Sequence, residues 1–293
     1  MNNSNKIKEM FQLQNKLNFD TNGDNWVNGI TNKGKIINWE RAITLELAEC
    51  IDSFPWKHWK SIEQQPDIQN ARIELVDVWH FLMSSIMETQ ADNLNIKSIL
   101  NCSDTKAHAI QNKLELFQFN SQEILDITNI NFDYISSIFV DFEKNLFDKF
   151  SKYYTETWTI SEHKDIDLVL SLVEEALLAS SLLNRYKVIC RDNFTEENFI
   201  NVLEHTQRLI IAFIAACSSL NLSFLELNKL YIGKNVLNLF RQDNGYKEGT
   251  YIKIWNGEED NIHMIRILDT LDNVTFERVY NSLTAIYNNL DNN

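Results

Sequence analysis

Residues that interrupt helices are rare and unevenly placed in this chain, and this feature limits its fold more than any other. The 293 residues include only two prolines and seven glycines. All seven glycines lie within 23–34 and 233–257, so the long stretch from 35 to 232 contains none. Because proline and glycine are the strongest breaks in helical structure, the chain is predicted to be mostly helical. The glycines mark sharp turns or close approaches to a ligand, although ordinary loops would explain most of them.

Apolar periodicity and helix end signals predict the positions of the helices. They span about 3–18, 38–54, 67–90, 104–118, 131–153, 164–190, 195–220, 222–241 and 273–290. We expect a single all-α domain over residues 1–293, a helical bundle with a metal site between facing helices. The segment 91–165 is irregular in pattern and rich in phenylalanine, and is predicted to be an extended central helical segment that packs rather than a flexible linker.

Composition restricts the classes of partner. A formal net charge of −14 argues against general nucleic-acid binding, which needs an excess of Lys and Arg, although a local cationic cluster is still possible. The longest apolar run, Leu209–Cys217, has nine residues, about half of the ~18 needed to cross a bilayer. Four scattered cysteines form no CxxC pair, and the first ten residues contain no signal-peptide core. We therefore expect a cytoplasmic protein that contacts neither membrane nor nucleic acid.

Two pairs of acids lie on consecutive predicted helices. Glu46 and Glu49 occur in TLELAEC, and Glu74 and Asp77 occur in RIELVDVWH. The i, i+3 spacing puts both members of each pair within ~60° on one helix face. Their neighbours are apolar, so the acids are costly unless cations compensate them, and hard oxygen ligands favour Mg²⁺ or Mn²⁺ over zinc. The alternative is two ordinary helices with solvated acidic edges.

A second polar pattern lies in YIGKNVLNLFRQDNGYKEGTYIK, near the C-terminal end of the chain. Lys234, Asn235 and Arg241 follow helical spacing on one polar stripe, and Tyr246 and Lys247 follow in a glycine turn. Arginine offers a fork of donors and lysine a point charge, so this cluster suits a polyphosphate. A solvated helix edge is the alternative interpretation.

Together these motifs resemble one protein family. ExxE followed by ExxD on the next helix is the signature of the all-α nucleotide pyrophosphatases, and the wording here is similar to their dimeric dUTPase branch. The resemblance covers roughly the first 90 residues and about 230–257. The matching stretches are LQNKLN, TNGDNW, ELAECIDSFPWKHWK, RIELVDVWHF and YIGKNVLNLFRQDNGYKEGTY.

The resemblance implies an activity and a set of metal ligands. It implies a homodimer that hydrolyses dUTP, and also dUDP, to dUMP with Mg²⁺, for which Mn²⁺ could substitute. This reaction keeps uracil out of DNA and supplies dUMP for thymidylate synthesis. The ligands would be Glu46, Glu49, Glu74 and Asp77, with Glu49 also orienting or deprotonating the attacking water. The family suggests attack at the β-phosphorus.

It also implies the residues that bind the nucleotide. Those for the phosphates are Lys234, Asn235, Arg241, Tyr246 and Lys247. Those for the base and sugar are Gln14, Asn18, Trp26, His80 and Phe81. The amides of Gln14 and Asn18, at i and i+4, can donate to uracil and accept from it. Phe81 lies on the face of Asp77 and could exclude a 2′-hydroxyl by bulk, although a lone Phe is more often part of the core. The run FPWKHWK, residues 54–60, resembles the family's mobile flap or is a plain interhelical loop.

Two other functions stay open at this point. One is a related house-cleaning pyrophosphatase that acts on another nucleotide, which a panel of substrates would separate. The other is a non-enzymatic helical interaction protein whose acids decorate its surface. Absence of Mg²⁺-dependent stabilisation would favour the second.

Overall fold

The described residues form an almost purely helical protein. A computed structural model describes residues 2–60, 65–91, 115–117, 130–144, 146 and 166–290. The helices are α1 (Asn3–Asn22), α2 (Trp39–Asp52), α3 (Ile68–Ala91), α4 (Phe132–Lys144), α5 (Ile166–Asp192), α6 (Glu196–Ser219), α7 (Phe224–Asp243), α8 (Asp260–Thr270) and α9 (Phe276–Tyr287). The described strands are β1 (Ile254–Trp255) and β2 (Glu258–Glu259), which pair as an antiparallel hairpin. The all-α prediction is therefore confirmed.

The chain divides into two compact units, Met1–Ser223 and Phe224–Asn293. In the first unit α5 packs along α6, α2 packs along α3 and against α5, and α1 contacts α3 and α4. Its core includes Trp79 of α3, which stacks on Phe213 of α6 at a centroid distance of 5.3 Å. In the second unit α7, α8 and α9 all pack on one another. The prediction of a single domain over 1–293 stays a prediction.

Most predicted helices lie within a few residues of the observed ones, and the exceptions have local causes. Helix α1 runs four residues further than predicted, to Asn22, and ends where Gly23 adopts a φ of 88° and donates to the carbonyl of Phe19. Helix α8 and the hairpin before it were not predicted. The two strands of the hairpin are joined by a turn in which Asn256 and Gly257 both have positive φ, at 51° and 87°.

Much of the central segment 91–165 lies outside the described residues. This applies to most of the helix predicted near 104–118 and to the end of the one predicted over 131–153. Within the described part, α4 packs against α1 and α6. The rings of Phe117, Phe139 and Phe142 are buried, as expected of a packed segment.

Helix α6 is a long apolar helix of the first unit. Among the described residues it contains the one span long and apolar enough to cross a membrane, Glu197–Ser219, with a mean hydropathy of 1.2 over its best window. Two thirds of that window, 67%, is buried inside the protein. Helix α6 contacts α3, α4 and α5, so its apolar sequence is that of a helix in the protein core.

A buried ion cluster joins α2, α3 and α5. The Nζ of Lys187 donates to Glu40 Oε1 at 2.6 Å, to Glu88 Oε2 at 2.8 Å and to Ser85 Oγ at 3.0 Å. Arg191 Nη2 donates to the other Glu88 oxygen at 3.0 Å. Burial alone would raise the pKa of Glu40 and lower that of Lys187, but their mutual attraction shifts both pKa values the opposite way. Both groups are therefore charged at neutral pH.

Replacing Lys187 should strongly destabilise the first unit. Lys187→Met leaves the carboxylates of Glu40 and Glu88 buried with one cation fewer, which typically costs about 3–5 kcal/mol. Lys57→Met is the matched control, because it breaks a solvent-exposed ion pair with Asp52 that is worth less than about 1 kcal/mol. Chemical denaturation measures both, and equal losses in the two variants would contradict a structural role for the cluster.

Candidate active site

Three carboxylates from α2 and α3 converge in the first unit. Oxygens of Glu46, Glu74 and Asp77 all lie within 4.8 Å of one another. Glu46 and Asp77 are partly buried and Glu74 is buried. The convergence follows from the sequence, because the i, i+3 acids of α3 face the helix that it packs along. The structure therefore brings together three of the four acids that were predicted to bind metal.

The electrostatics of this cluster are unfavourable without a cation. Burial, with the negative charges of Asp77, Glu74 and Glu49, raises the pKa of Glu46 from 4.5 to about 8. A hydrogen bond with the Glu74 side chain contributes to the same rise in pKa, so Glu46 holds a proton at neutral pH in the metal-free protein. A divalent cation would replace that proton, and three hard oxygen donors suit Mg²⁺ or Mn²⁺.

Glu49 differs from the other three acids. Its side chain is exposed on α2, one turn after Glu46, and it does not belong to the group of oxygens within 4.8 Å among the described residues. It is still close enough to contribute to the raised pKa of Glu46. The prediction that Glu49 is a metal ligand and the catalytic base stays a prediction.

A buried polar network links α1 to α3. Gln14 Nε2 donates to Asn18 Oδ1 at 2.9 Å, and Asn18 Nδ2 donates to Ser84 Oγ at 2.9 Å. His80 Nδ1 lies 2.7 Å from Gln14 Oε1, and the Ser84 hydroxyl donates to the His80 carbonyl at 2.8 Å. Three residues predicted to bind the base, Gln14, Asn18 and His80, are thus brought together. Ser84 was missed, although it follows Asp77 by seven residues and so lies on the same helix face.

The other two residues predicted for base and sugar belong to an aromatic group around Trp39. The ring of Phe81 stacks on Trp39 at 6.1 Å and 29°, and Trp26 meets Trp39 edge-on at 6.1 Å. Trp39 was not predicted, because an aromatic residue at the start of a helix carries no distinctive signal. Its buried indole N–H finds no acceptor among the described residues.

The predicted flap, 54–60, follows α2. Trp56 and Trp59 meet edge-on at 5.5 Å, the Lys57 ammonium lies 5.3 Å from the Trp56 ring, and Trp59 is 62% exposed. Exposed tryptophans are unusual in a plain connection, so the segment has the surface chemistry of a binding loop. Its motion stays a prediction.

The second unit contains the residues predicted to bind phosphate. Lys234 and Asn235 are buried on α7, whereas Tyr246 and Lys247 are exposed in the turn that follows it. Lys234 Nζ donates to Asn261 Oδ1 at 3.0 Å. Asn235 Nδ2 donates weakly, at 3.4 Å, to the hydroxyl of buried Tyr231. Their role in phosphate binding stays a prediction.

Arg241, the remaining predicted phosphate ligand, has a carboxylate partner within the second unit. Its Nε and Nη2 donate to the two oxygens of Asp260, at 2.8 and 2.7 Å. The hydroxyl of Tyr251 donates to the same carboxylate at 2.8 Å. Sequence reasoning missed Asp260, since it lies in the run GEED outside every predicted element.

The helical fold and the acidic cluster define an all-α protein with a site of the kind that holds divalent cations. Residues 6–246 match a family model described as dUTPase. The match covers most of the chain, which therefore belongs to the all-α dimeric dUTPase family, and this membership indicates dUTP diphosphatase activity. The resemblance seen in the motifs is confirmed. No curated protein matches the chain.

The raised pKa of Glu46 makes a prediction about the metal-free protein. The native state holds a proton up to a pKa of about 8 that the unfolded chain releases near 4.5, so stability should fall as pH rises between these values. Glu46→Gln should flatten this slope and melt at a higher temperature than the wild type above pH 8 in EDTA. It should also lose most of the stabilisation that Mg²⁺ gives the wild type.

Thermal melts from pH 5 to 9, with EDTA or Mg²⁺, measure both effects. Glu9→Gln, which neutralises an exposed acid on α1, is the matched control and should follow the wild type. Identical pH slopes in wild type and Glu46→Gln would show that Glu46 is not held in its protonated form.

Proposed function

We propose that this protein hydrolyses dUTP, and also dUDP, to dUMP with Mg²⁺ bound by the acids of α2 and α3. The observation that carries the proposal is the convergence of Glu46, Glu74 and Asp77 within 4.8 Å in a chain of the dUTPase family. A magnesium ion is the cation that best suits these oxygen donors, and Mn²⁺ could take its place. The reaction would keep uracil out of DNA and supply dUMP for thymidylate synthesis.

The acids divide into two roles. Glu46, Glu74 and Asp77 hold the metal, and Glu49 completes the set from the exposed side of α2. When bound, Mg²⁺ neutralises phosphate charge and makes a water molecule more acidic. The carboxylate of Glu49 accepts a proton from the attacking water, which it can do because solvent reaches it. The β-phosphorus is the atom attacked, as the resemblance to the family suggests, and dUMP is then the leaving group from both dUTP and dUDP.

Base recognition rests on the polar network between α1 and α3. The amides of Gln14 and Asn18 carry both donors and acceptors, as the N3–H and two carbonyls of uracil require. In the free protein these amides form hydrogen bonds with each other and with Ser84. Bound uracil would replace some of these hydrogen bonds with its own. His80 holds Gln14 through its Nδ1 and thereby orients the amide. This network selects by hydrogen bonding, which discriminates more strongly than apolar contact.

The sugar lies against Phe81, and Trp26 covers the base from its loop. Phe81 is fixed by its stack on Trp39, so its ring cannot easily withdraw from an added 2′-hydroxyl. The phosphates are bound by cations of the second unit, with Lys234 and Arg241 on α7 and Lys247 in the following turn, supported by Asn235 and Tyr246. These cations suit a triphosphate in a chain whose overall charge is −14. The active form is a cytoplasmic homodimer that contacts neither membrane nor nucleic acid.

Metal-dependent turnover tests the proposal directly. Product release from dUTP, dUDP, dCTP, dTTP and UTP should be fastest for the two deoxyuridine substrates, and EDTA should abolish it. Glu74→Gln should lower kcat by at least about 100-fold, since it removes a ligand from the cluster. Glu9→Gln, an exposed acid on α1, should keep full activity.

Hydrolysis that survives exhaustive EDTA treatment would refute the metal role. Faster turnover of dCTP or dTTP than of dUTP would instead identify a related pyrophosphatase with another base preference.

Replacing Phe81 tests the choice of sugar. An added 2′-hydroxyl facing the ring finds no partner, which costs about 1–3 kcal/mol, or ~10–100-fold in rate. Phe81→Ala should therefore narrow the ratio of kcat/KM for dUTP over UTP by about that factor, chiefly by raising UTP turnover. Phe194→Ala is the control, because Phe194 is another partly exposed ring packed on an aromatic neighbour, Phe199. If Phe81→Ala lowers both rates together, the residue only packs.

A further inference from the structure

The contact of interest lies wholly in the second unit, between α7 and the start of α8. Arg241 meets Asp260 through two parallel hydrogen bonds, Nε to Oδ2 at 2.8 Å and Nη2 to Oδ1 at 2.7 Å. Asp260 is fully buried and the Arg241 side chain is only 12% exposed. Burial alone would raise the pKa of Asp260, but Arg241 holds that pKa below its usual value. The pair is therefore ionised and its geometry is fixed.

An exposed pair close by in sequence shows what is unusual here. Arg266 and Glu258 also form a bidentate contact, through Nη1 and Nη2 at 2.5 and 2.8 Å, on the surface. Such exposed pairs contribute little, whereas burial of a pair such as Arg241–Asp260 takes two charges out of water and often gains nothing over apolar packing. A contribution to folding stability therefore does not explain why the Arg241–Asp260 pair is buried.

Two further contacts of the Arg241 guanidinium differ in kind from the ion pair. Its Nη1 donates to Asn238 Oδ1 at 3.2 Å and its Nη2 approaches Asn261 Oδ1 at 3.4 Å, both longer and to neutral amides. The donors of these two contacts, Nη1 and Nη2, are also the two nitrogens that form the outer edge of the guanidinium. A phosphate at that edge would replace the weak amide contacts and leave the bond to Asp260 intact.

The same amide links the two cations. Asn261 Oδ1 accepts from Lys234 Nζ at 3.0 Å as well as from Arg241, so one oxygen sets the separation of the two cationic groups. Of these three side chains, Lys234 and Arg241 are cationic and Asp260 is anionic. Asp260 therefore weakens the electrostatic attraction for phosphate while it fixes the direction of the fork.

We propose that Asp260 is a positioning residue for the nucleotide phosphates, which holds Arg241 so that its Nη1–Nη2 edge meets a phosphate oxygen pair. This inference rests on the proposed function, in which Arg241 and Lys234 bind those phosphates. An arginine fixed in advance loses less side-chain freedom on binding, so the pair gains affinity through geometry rather than charge. Asp260 lies beyond the residues matched by the family model, 6–246, so part of the phosphate machinery belongs to the segment that follows.

The direction in which KM changes when Asp260 is replaced shows whether Asp260 positions Arg241 or competes with the phosphates for it. Asp260→Asn keeps the size of the side chain but raises the local charge by one, so electrostatics alone would lower KM for dUTP. Positioning predicts the opposite: KM for dUTP and dUDP should rise at least tenfold, while kcat and the inhibition constant of dUMP change less than threefold. A lower KM would show that Asp260 competes with phosphate, and would overturn the proposal.

Two further variants of the full chain guard against a folding defect. Tyr251→Phe deletes one hydrogen bond to Asp260 and keeps the ring, so it should raise KM in the same direction by two- to fivefold. It decides the question if Asp260→Asn does not fold. Glu258→Gln breaks the exposed bidentate pair with Arg266 and should leave KM unchanged.

The Arg241→Ala variant distinguishes a failure of the positioning role from a failure of the proposed function. If Arg241→Ala raises KM for dUTP but Asp260→Asn and Tyr251→Phe do not, the positioning role is wrong and the proposed function stands. If none of the three variants changes KM in an enzyme that hydrolyses dUTP, Arg241 does not bind phosphate and the inference falls with that assignment. If the wild type hydrolyses neither dUTP nor dUDP, the proposed function itself is wrong.

Discussion

The repulsion between carboxylates on α2 and α3 is the constraint on which the chemistry of this protein depends. The two helices carry acids along their shared face, and these acids form two groups with different surroundings. Near the start of α2 and the end of α3, Glu40 and Glu88 are neutralised by Lys187 in the buried ion cluster. Further along the pair, burial and the negative charges of Asp77, Glu74 and Glu49 raise the pKa of Glu46 to about 8. The same two helices thus carry one group of acids that is neutralised by a lysine and another that favours a bound cation.

The second unit contains the opposite arrangement, in which cations lie close to a buried carboxylate. Asp260 holds Arg241 through an ion pair, and Lys234 donates to the oxygen of Asn261. Cationic donors that are held in a fixed geometry are suited to an anion with many oxygens. Each unit therefore carries charged side chains that are positioned by rigid helices, which favours binding.

The parts that could be predicted from sequence are those set by local periodicity. Helix positions and the convergence of Glu46, Glu74 and Asp77 follow from a spacing of three or four residues and an apolar flank. Contacts between remote positions could not be predicted, such as Glu40 with Lys187, which are 147 residues apart. Helix α8 was missed because it begins directly after a glycine turn, in an acidic run without clear apolar periodicity. The role of Asp260 was missed with it.

Gly29 in the first loop shows how the buried ion cluster supports the proposed active site. Gly29 has a φ of 71°, and a Cβ there would lie 2.8 Å from Glu88 Oε1 and 3.2 Å from Arg191 Nη2. The loop that carries Trp26 therefore lies directly against the buried ion cluster, and its positive φ at this position strains any residue other than glycine. The same cluster fixes Glu40, the neighbour of Trp39, on which Phe81 stacks. The buried ion cluster at the start of α2 thus fixes the loop and the rings that surround the proposed sugar and base sites. At the other end of α2, the acids around Glu46 are left to bind a cation.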